Sequence, residues 1–359
     1  MFGHSSVMIK SALSVFALIS SVASRTCNGH EEFCDRLYSN VSVIAAHNSY
    51  AVSAGSIAAN QNYTVERQLN DGIRALTIQL HASGDEVRLC HSSCLLLDAG
   101  TLQDYLSTVK TWLDANTDEV VTLIIVNNDQ ISPATLARSY SGSGIAPYAF
   151  TPSSTPISYN NWPTLGGLID SNTRLVSFLA QGADMSSVPY LLDQFTHVWE
   201  TPFSPTDPTF PCTVDRVTGS AEGKMYMINH NLNVDQIILG TPQPVPAVQL
   251  IDEVNALSGP SSLTANAQNC YALHGYLPTF TLVDFYDTPE GNVFRYAASL
   301  NGVEYVAPAS TEVRADSTAT TTGTSSSGKV SSKPLEGGAS SLYISTAFVI
   351  LGLTLSVVL

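Results

Sequence analysis

Residues Val120–Val126 read Val-Val-Thr-Leu-Ile-Ile-Val and run into Asn127–Asn128–Asp129. A segment this short and this apolar, rich in β-branched residues, is a strand buried on both faces. Such strands belong to parallel sheets covered by helices, which need a sizeable core. The chain can supply one: its 359 residues are 44% hydrophobic and 13% charged. Seven further candidate strands lie at workable spacing: 41–47, 74–82, 87–91, 174–180, 197–201, 224–231 and 280–286. Between them Val65–Asp71 reads as a helix closed by Gly72. Thr101–Asn116 reads as another, with Leu102, Tyr105, Leu106, Val109, Trp112 and Leu113 at helical spacing and a capping-box-like Thr101…Asp104 start. The stretches 139–163 and 203–222 are rich in Pro, Gly, Ser and Thr, so not every crossover is a regular helix.

Eight mostly parallel strands in one α/β domain predict a (β/α)8 barrel, whose chemistry sits at the C-terminal strand ends. Polar residues gather at those ends: His47 and Asn48, Gln79 and His81, His91, Asn127 and Asn128, Glu200, Asn229 and His230, and Asp284. The alternative is a doubly wound open sheet, but no Gly-rich phosphate loop follows the first strand. In 74–82, Leu76, Ile78 and Leu80 alternate with Ala75, Thr77, Gln79 and His81, a greasy outer face against a small polar inner one.

Both termini predict processing. Ser11–Ala23 is a small and apolar run before Val22–Ala23–Ser24, the layout of a signal peptide over residues 1–24. A buried N-terminal helix is the alternative. Residues 309–333 are dominated by Ser, Thr, Gly and Lys, so a disordered stalk is expected over 309–340. Residues 341–359 are apolar to the end, which fits a GPI-attachment signal with its site near Ser326–Ser332. A tail-anchoring helix is the alternative, and no Lys or Arg follows the span to hold it. The expected product is a domain at 25–308, a monomer on the extracellular face of the plasma membrane or in the cell wall. Net charge of −15, with no basic cluster, argues against nucleic acid as a partner.

Six cysteines behind a secretory signal predict disulfides, with 15 connectivities open. Short loops favour Cys27–Cys34, Cys90–Cys94 and Cys212–Cys270. Zinc held by Cys90, His91 and Cys94 is the competing possibility, disfavoured in an oxidising compartment. Asn40–Val41–Ser42 and Asn62–Tyr63–Thr64 are N-glycosylation sequons.

Ala46–His47–Asn48–Ser49–Tyr50, then Gly72–Ile73–Arg74, then His91, then Val283–Asp284–Phe285–Tyr286 form an ordered set. It resembles the X domain of phosphatidylinositol-specific phospholipases C, most closely the extracellular fungal PLC-like phosphodiesterases, over roughly residues 27–306. The resemblance implies a distorted TIM barrel that cleaves a phosphoinositide or another phosphodiester. It implies His47 as general base, His91 as general acid and Asp284 as the group that orients His47. Asn48, Gln79, His81, Asn127 and Glu200 stand where they could contact substrate. The pattern also departs from the family. Bacterial members carry an Asp and a phosphate-binding Arg where this chain has Thr77 and Gln79. Calcium-dependent members use an Asn and three acids, of which only the Asn, Asn48, is kept; the others are Thr77, Gln79 and Asn127. Calcium favours several carboxylate oxygens, so no metal or other cofactor is expected. A weakly active or inactive barrel that binds an inositol-phosphate or glycan head group is the alternative function.

Overall fold

The computed structural model describes residues 25–307 apart from 54, 92 and 239. The expected signal peptide, stalk and hydrophobic tail lie outside the described residues.

Twelve strands are described in chain order: β1 (Val43–Ala46), β2 (Ala75–Ser83), β3 (Glu86–Cys90), β4 (Asp98–Thr101), β5 (Val121–Val126), β6 (Leu175–Leu179), β7 (Leu191–Asp193), β8 (Val198–Glu200), β9 (Met225–Asn229), β10 (Asn233–Ile238), β11 (Thr241–Pro246) and β12 (Phe280–Val283). The helices are α1 (Val65–Asp71), α2 (Leu102–Ala115), α3 (Pro133–Ser143), α4 (Leu165–Asp170), α5 (Gln194–His197), α6 (Ile251–Val254), α7 (Leu263–His274) and α8 (Asn292–Asn301).

Eight strands form one parallel, curled sheet in the order β7-β6-β5-β2-β1-β12-β9-β8. Followed around the ring, each strand neighbours the next barrel strand in the chain. The ring stays open at one seam: among the described residues no ladder joins β7 to β8, which the single turn of α5 connects. This is a distorted TIM-barrel fold of the α/β class. Helices cover the sheet after β1, β2, β5, β9 and β12, whereas β6–β7 and β8–β9 are bridged without an intervening helix.

One expected barrel strand is corrected. Residues 87–91 were expected as the third parallel strand, but β3 runs antiparallel to β2 and continues the hairpin into β4. The two-residue Gly84–Asp85 loop dictates this, because a parallel return needs a crossover of roughly a dozen residues. The eighth barrel strand is instead Leu191–Asp193, too short to show a period in sequence.

Two apolar layers follow from the period-two alternation of the strands. Ala45, Ala75, Ile124, Phe178, Met227, Phe280 and Leu282 pack in one cluster that fills the barrel. Leu76, Ile78, Leu123 and Ile125 face outward and pack with Leu106, Val109 and Leu113 of α2. Helix α1 ends on Gly72 at φ 115°, as its sequence predicts. Thr101 caps α2 by accepting from the Asp104 N–H at 3.1 Å. The N-terminal strand ends carry structural charge: Arg74 pairs with Glu119 at 2.7 Å, and buried Arg174 donates to the carbonyls of Leu113 (3.0 Å) and Asn116 (2.8 Å). The disulfides are Cys27–Cys34, Cys90–Cys94 and Cys212–Cys270, the pairing favoured by loop length.

Candidate active site

In five of the barrel strands the inward column is apolar in the barrel and polar at its C-terminal end. Two residues beyond Ala45 comes His47, beyond Ala75 come Thr77 and Gln79, beyond Val198 comes Glu200, beyond Met227 comes Asn229, and beyond Leu282 comes Asp284. Alternation therefore lifts these polar side chains onto the top of an apolar plug.

His47 leaves β1 in a tightly held turn. Its N–H donates to the Val283 carbonyl at 3.0 Å, and its own carbonyl accepts from Gln61 Nε2 at 2.9 Å. Asn48 follows at φ 40°, a left-handed conformation that Asn tolerates better than most residues. Its N–H donates to Thr77 Oγ1 at 2.9 Å, and that hydroxyl donates to the Ala46 carbonyl at 3.2 Å. Thr77 thus ties the turn to β2.

The His47 Nδ1–H donates to Asp284 Oδ1 at 2.8 Å, and Asp284 is 2% exposed. This bond fixes the tautomer that leaves a lone pair on Nε2. Asn48 Nδ2 donates to that Nε2 at 3.2 Å. Asn60 Nδ2 donates to Asp284 Oδ1 at 2.8 Å, and Asn48 Nδ2 also reaches Asn60 Oδ1 at 3.1 Å. Such a ring, held by a buried carboxylate, can accept a proton and keep it as an imidazolium.

His91 enters from the tip of the β3–β4 hairpin. Its Nδ1–H donates to the Ala58 carbonyl at 2.6 Å, and the preceding Cys90 carbonyl accepts from Tyr50 Oη at 2.9 Å. Both partners lie in the loop after β1, so the hairpin tip packs beside the His47 turn. Burial pushes the His91 pKa below the usual imidazole value, the Ala58 carbonyl raises it, the charge of His47 lowers it and that of Asp284 raises it.

The other expected contact residues are placed as follows. Gln79 is half-buried one pleat above Thr77 on the same face. The His81 Nδ1 is 3.4 Å from Asp129 Oδ2, and its buried Nε2 has no partner. Asn127 is fully buried and consumed by its own loop: Nδ2 donates to the carbonyls of Ile131 (2.9 Å) and Gln181 (3.1 Å), and Oδ1 accepts from the Ile131 N–H at 3.0 Å. Glu200, 1% exposed, pairs with Arg216 and accepts from Gln194 Nε2. The Arg216 guanidinium lies 4.1 Å from the centre of the Phe203 ring. Asn229 Nδ2 donates to the Thr201 carbonyl at 2.8 Å. His230 is buried between Asn266 Oδ1 and the Val254 carbonyl, which engage both of its ring nitrogens.

Asn60, Gln61 and Arg216 escaped the sequence reading. All three lie in irregular loops, where no periodicity marks which way a side chain points. Among the described residues, Cys90, Cys94 and Asp98 form the one His/Cys/acid group close enough to hold a metal. Both of its sulfurs are spent in a disulfide, so the donor set does not fit an ion.

Residues 33–301 match the family described as PI-PLC X 1. The chain belongs to the PI-PLC X family. An uncharacterized secreted protein of Arthroderma benhamiae is 45% identical over 287 residues, 78% of this chain and 65% of that protein. The chain therefore spans just under two thirds of this relative's length. PI-PLC X domain-containing protein 1 of the same fungus is 41% identical over 281 residues, 77% of this chain and 90% of the relative. Among solved structures, a pentafluoro-Phe-incorporated phosphatidylinositol-specific phospholipase C of Staphylococcus aureus aligns with a TM-score of 0.51 at 11% identity, over 76% of this chain and 95% of that one. At that identity the likeness is one of fold. In this PI-PLC X domain, three of the four sequence segments that carried the resemblance, those around His47, His91 and Asp284, meet at the turn after β1, whereas Gly72–Ile73–Arg74 lies at the opposite, N-terminal end of β2.

Proposed function

We propose that the chain is a phosphoric diester hydrolase of the phospholipase C type, acting by two-histidine acid–base catalysis without calcium. The observation that carries this reading is the 2.8 Å bond from His47 to the buried Asp284, with His91 held against the loop after β1 by its 2.6 Å bond to the Ala58 carbonyl. A hydroxyl beside the phosphodiester gives its proton to His47 Nε2 as its oxygen attacks phosphorus. The bond from phosphorus to the leaving alcohol breaks, and protonated His91 supplies that alcohol's proton. The products are a cyclic phosphate and a free alcohol. The asparagine contact on Nε2 is long enough for a substrate hydroxyl to displace it. The diester's negative charge favours the protonated form of His91, offsetting the effect of its burial.

A lipid phosphodiester suits the surroundings. Large apolar side chains stand exposed on the segments that follow the C-terminal ends of barrel strands: Leu95 (98%), Ile57 (50%) and Phe203 (50%) on loops and Ile237 (71%) on β10. A phosphoinositide head group is the substrate class the family relationship suggests. Three disulfides and the fungal relative described as secreted support export. We extend the proposal to a signal peptide over 1–24, a domain over 25–308, a stalk over 309–340 and a GPI signal over 341–359. N-glycans are proposed on Asn40 and Asn62, both of which are exposed.

The second reading is a barrel that binds such a head group without cleaving it. Thr77 and Gln79 favour it, because neither brings a positive charge to the phosphate. Losing one charge-stabilising donor typically costs on the order of 10²–10³ in rate. The two readings separate in one assay: release of cyclic inositol phosphate from phosphatidylinositol vesicles in EDTA, by the wild-type chain and by His47→Ala. Turnover that disappears in the variant supports catalysis. Vesicle binding without turnover, with or without added calcium, supports the binding reading.

A further inference from the structure

His91 is the first residue of the seven-residue connection between β3 and β4, and a disulfide closes the start of that connection. Cys90 is fully buried in the hairpin opposite Asp98, whereas Cys94 is exposed. It is the one exposed cysteine of the six: Cys27, Cys90, Cys212 and Cys270 are buried and Cys34 is half-buried. A solvent thiol can therefore approach this bond most readily.

The His91 N–H donates to the Leu97 carbonyl at 3.1 Å, and the His91 carbonyl accepts from the Ser93 N–H at 2.6 Å. Both partners belong to the same connection. The anchors outside the hairpin are the Ala58 carbonyl on Nδ1 and Tyr50 on the Cys90 carbonyl. The Cys90–Cys94 bond closes a covalent ring that contains His91 and starts from the buried end of β3.

We propose that the Cys90–Cys94 bond is a redox modification site that positions His91, so that a dithiol reductant switches the enzyme to low turnover. This rests on the two-histidine reading of the site. A thiolate of the dithiol attacks Cys94 Sγ, the Cys90–Cys94 bond breaks, and the Cys90 sulfur leaves with the electron pair and takes a proton. The reductant's second thiolate then attacks the sulfur that it has already bonded to Cys94. Cys94 is released and protonated, and the dithiol, having given two electrons, departs as its cyclic disulfide. The Asp98 carboxylate and both sulfurs lie within 4.8 Å of one another.

The test uses the full chain under graded dithiothreitol, with each bond followed by alkylation and mass spectrometry. Where Cys90–Cys94 alone has opened, kcat is expected to fall on the order of 10–100-fold, the scale of a catalytic group displaced by about an ångström. KM should stay within about twofold, and reoxidation should restore kcat. Cys90→Ala/Cys94→Ala should show the same low kcat and no response to the dithiol. The second readout needs no substrate: the His91 imidazole resonance should titrate closer to the ordinary histidine value once the bond is open. An unchanged kcat and an unchanged His91 titration after selective opening would overturn the proposal, as would Cys212–Cys270 opening first. A chain without turnover in either state would refute the two-histidine reading, and the titration alone would then decide whether the bond holds His91.

Discussion

Asp284 need not touch substrate to matter. Its carboxylate fixes which ring nitrogen of His47 carries the proton, and with Asn60 it holds the ring in place. Asp284→Asn keeps the shape and removes the charge that stabilises the imidazolium. We expect kcat to fall roughly 10²–10⁴-fold with little change in KM, the range for loss of a working general base; a steady-state comparison checks it. His91 carries a second expectation. Because burial is the largest influence on its pKa, its imidazole should titrate below the ordinary histidine value in the free protein. An anionic phosphate analogue at the site should move the midpoint upward, since the anion favours the protonated ring. NMR titration of His91 with and without inositol phosphate measures both, and a free-protein midpoint above the ordinary value would contradict the first.

At the scale of elements, the turn from α1 into β2 depends on Gly72. Its φ of 115° lies in the region that favours glycine, and an added Cβ would meet Phe294 Cε1 of α8 at 3.2 Å. Gly72→Ala should destabilise the fold by about 1–3 kcal/mol and leave kcat of the folded fraction unchanged; thermal melting and an active-site titration separate the two. Gly72 was legible in sequence because a glycine after a short amphipathic run has a single common structural use. The same holds for α2 and for the seven barrel strands whose apolar runs stand out. β7 was not legible, because three residues cannot display a period. β3 was misassigned because its own pattern is strand-like and only the Gly84–Asp85 turn reveals its direction. The strand-end histidines and Asp284 were visible as residues in a pattern. What Asn127 and Glu200 do was not, since each is engaged by partners from irregular loops: Ile131 and Gln181 for the first, Gln194 and Arg216 for the second.

At the scale of the barrel, the structural charges and the proposed catalytic pair lie at opposite ends. Ion pairs and carbonyl-capping arginines hold its lower end, and the histidine pair occupies its upper mouth. Four histidines, His30, His91, His197 and His230, have pKa values lowered chiefly by burial. Each therefore binds its proton less readily folded than unfolded. Their contribution is fully present above the unfolded value of about 6.5 and is lost as pH falls toward the folded values. Denaturant unfolding should give a stability that drops as pH is lowered from about 6.5; a stability that rises over that interval would contradict the burial account. The central claim, that two histidines divide the proton transfers of phosphodiester cleavage, is tested most directly by changing the leaving group. On phosphatidylinositol, His47→Ala and His91→Ala should both lose most of the wild-type turnover. On a nitrophenyl inositol phosphodiester, whose leaving group needs no proton, His91→Ala should recover to near wild-type rates while His47→Ala stays impaired. Equal loss in both variants on both substrates would contradict the assignment of His91 as the acid.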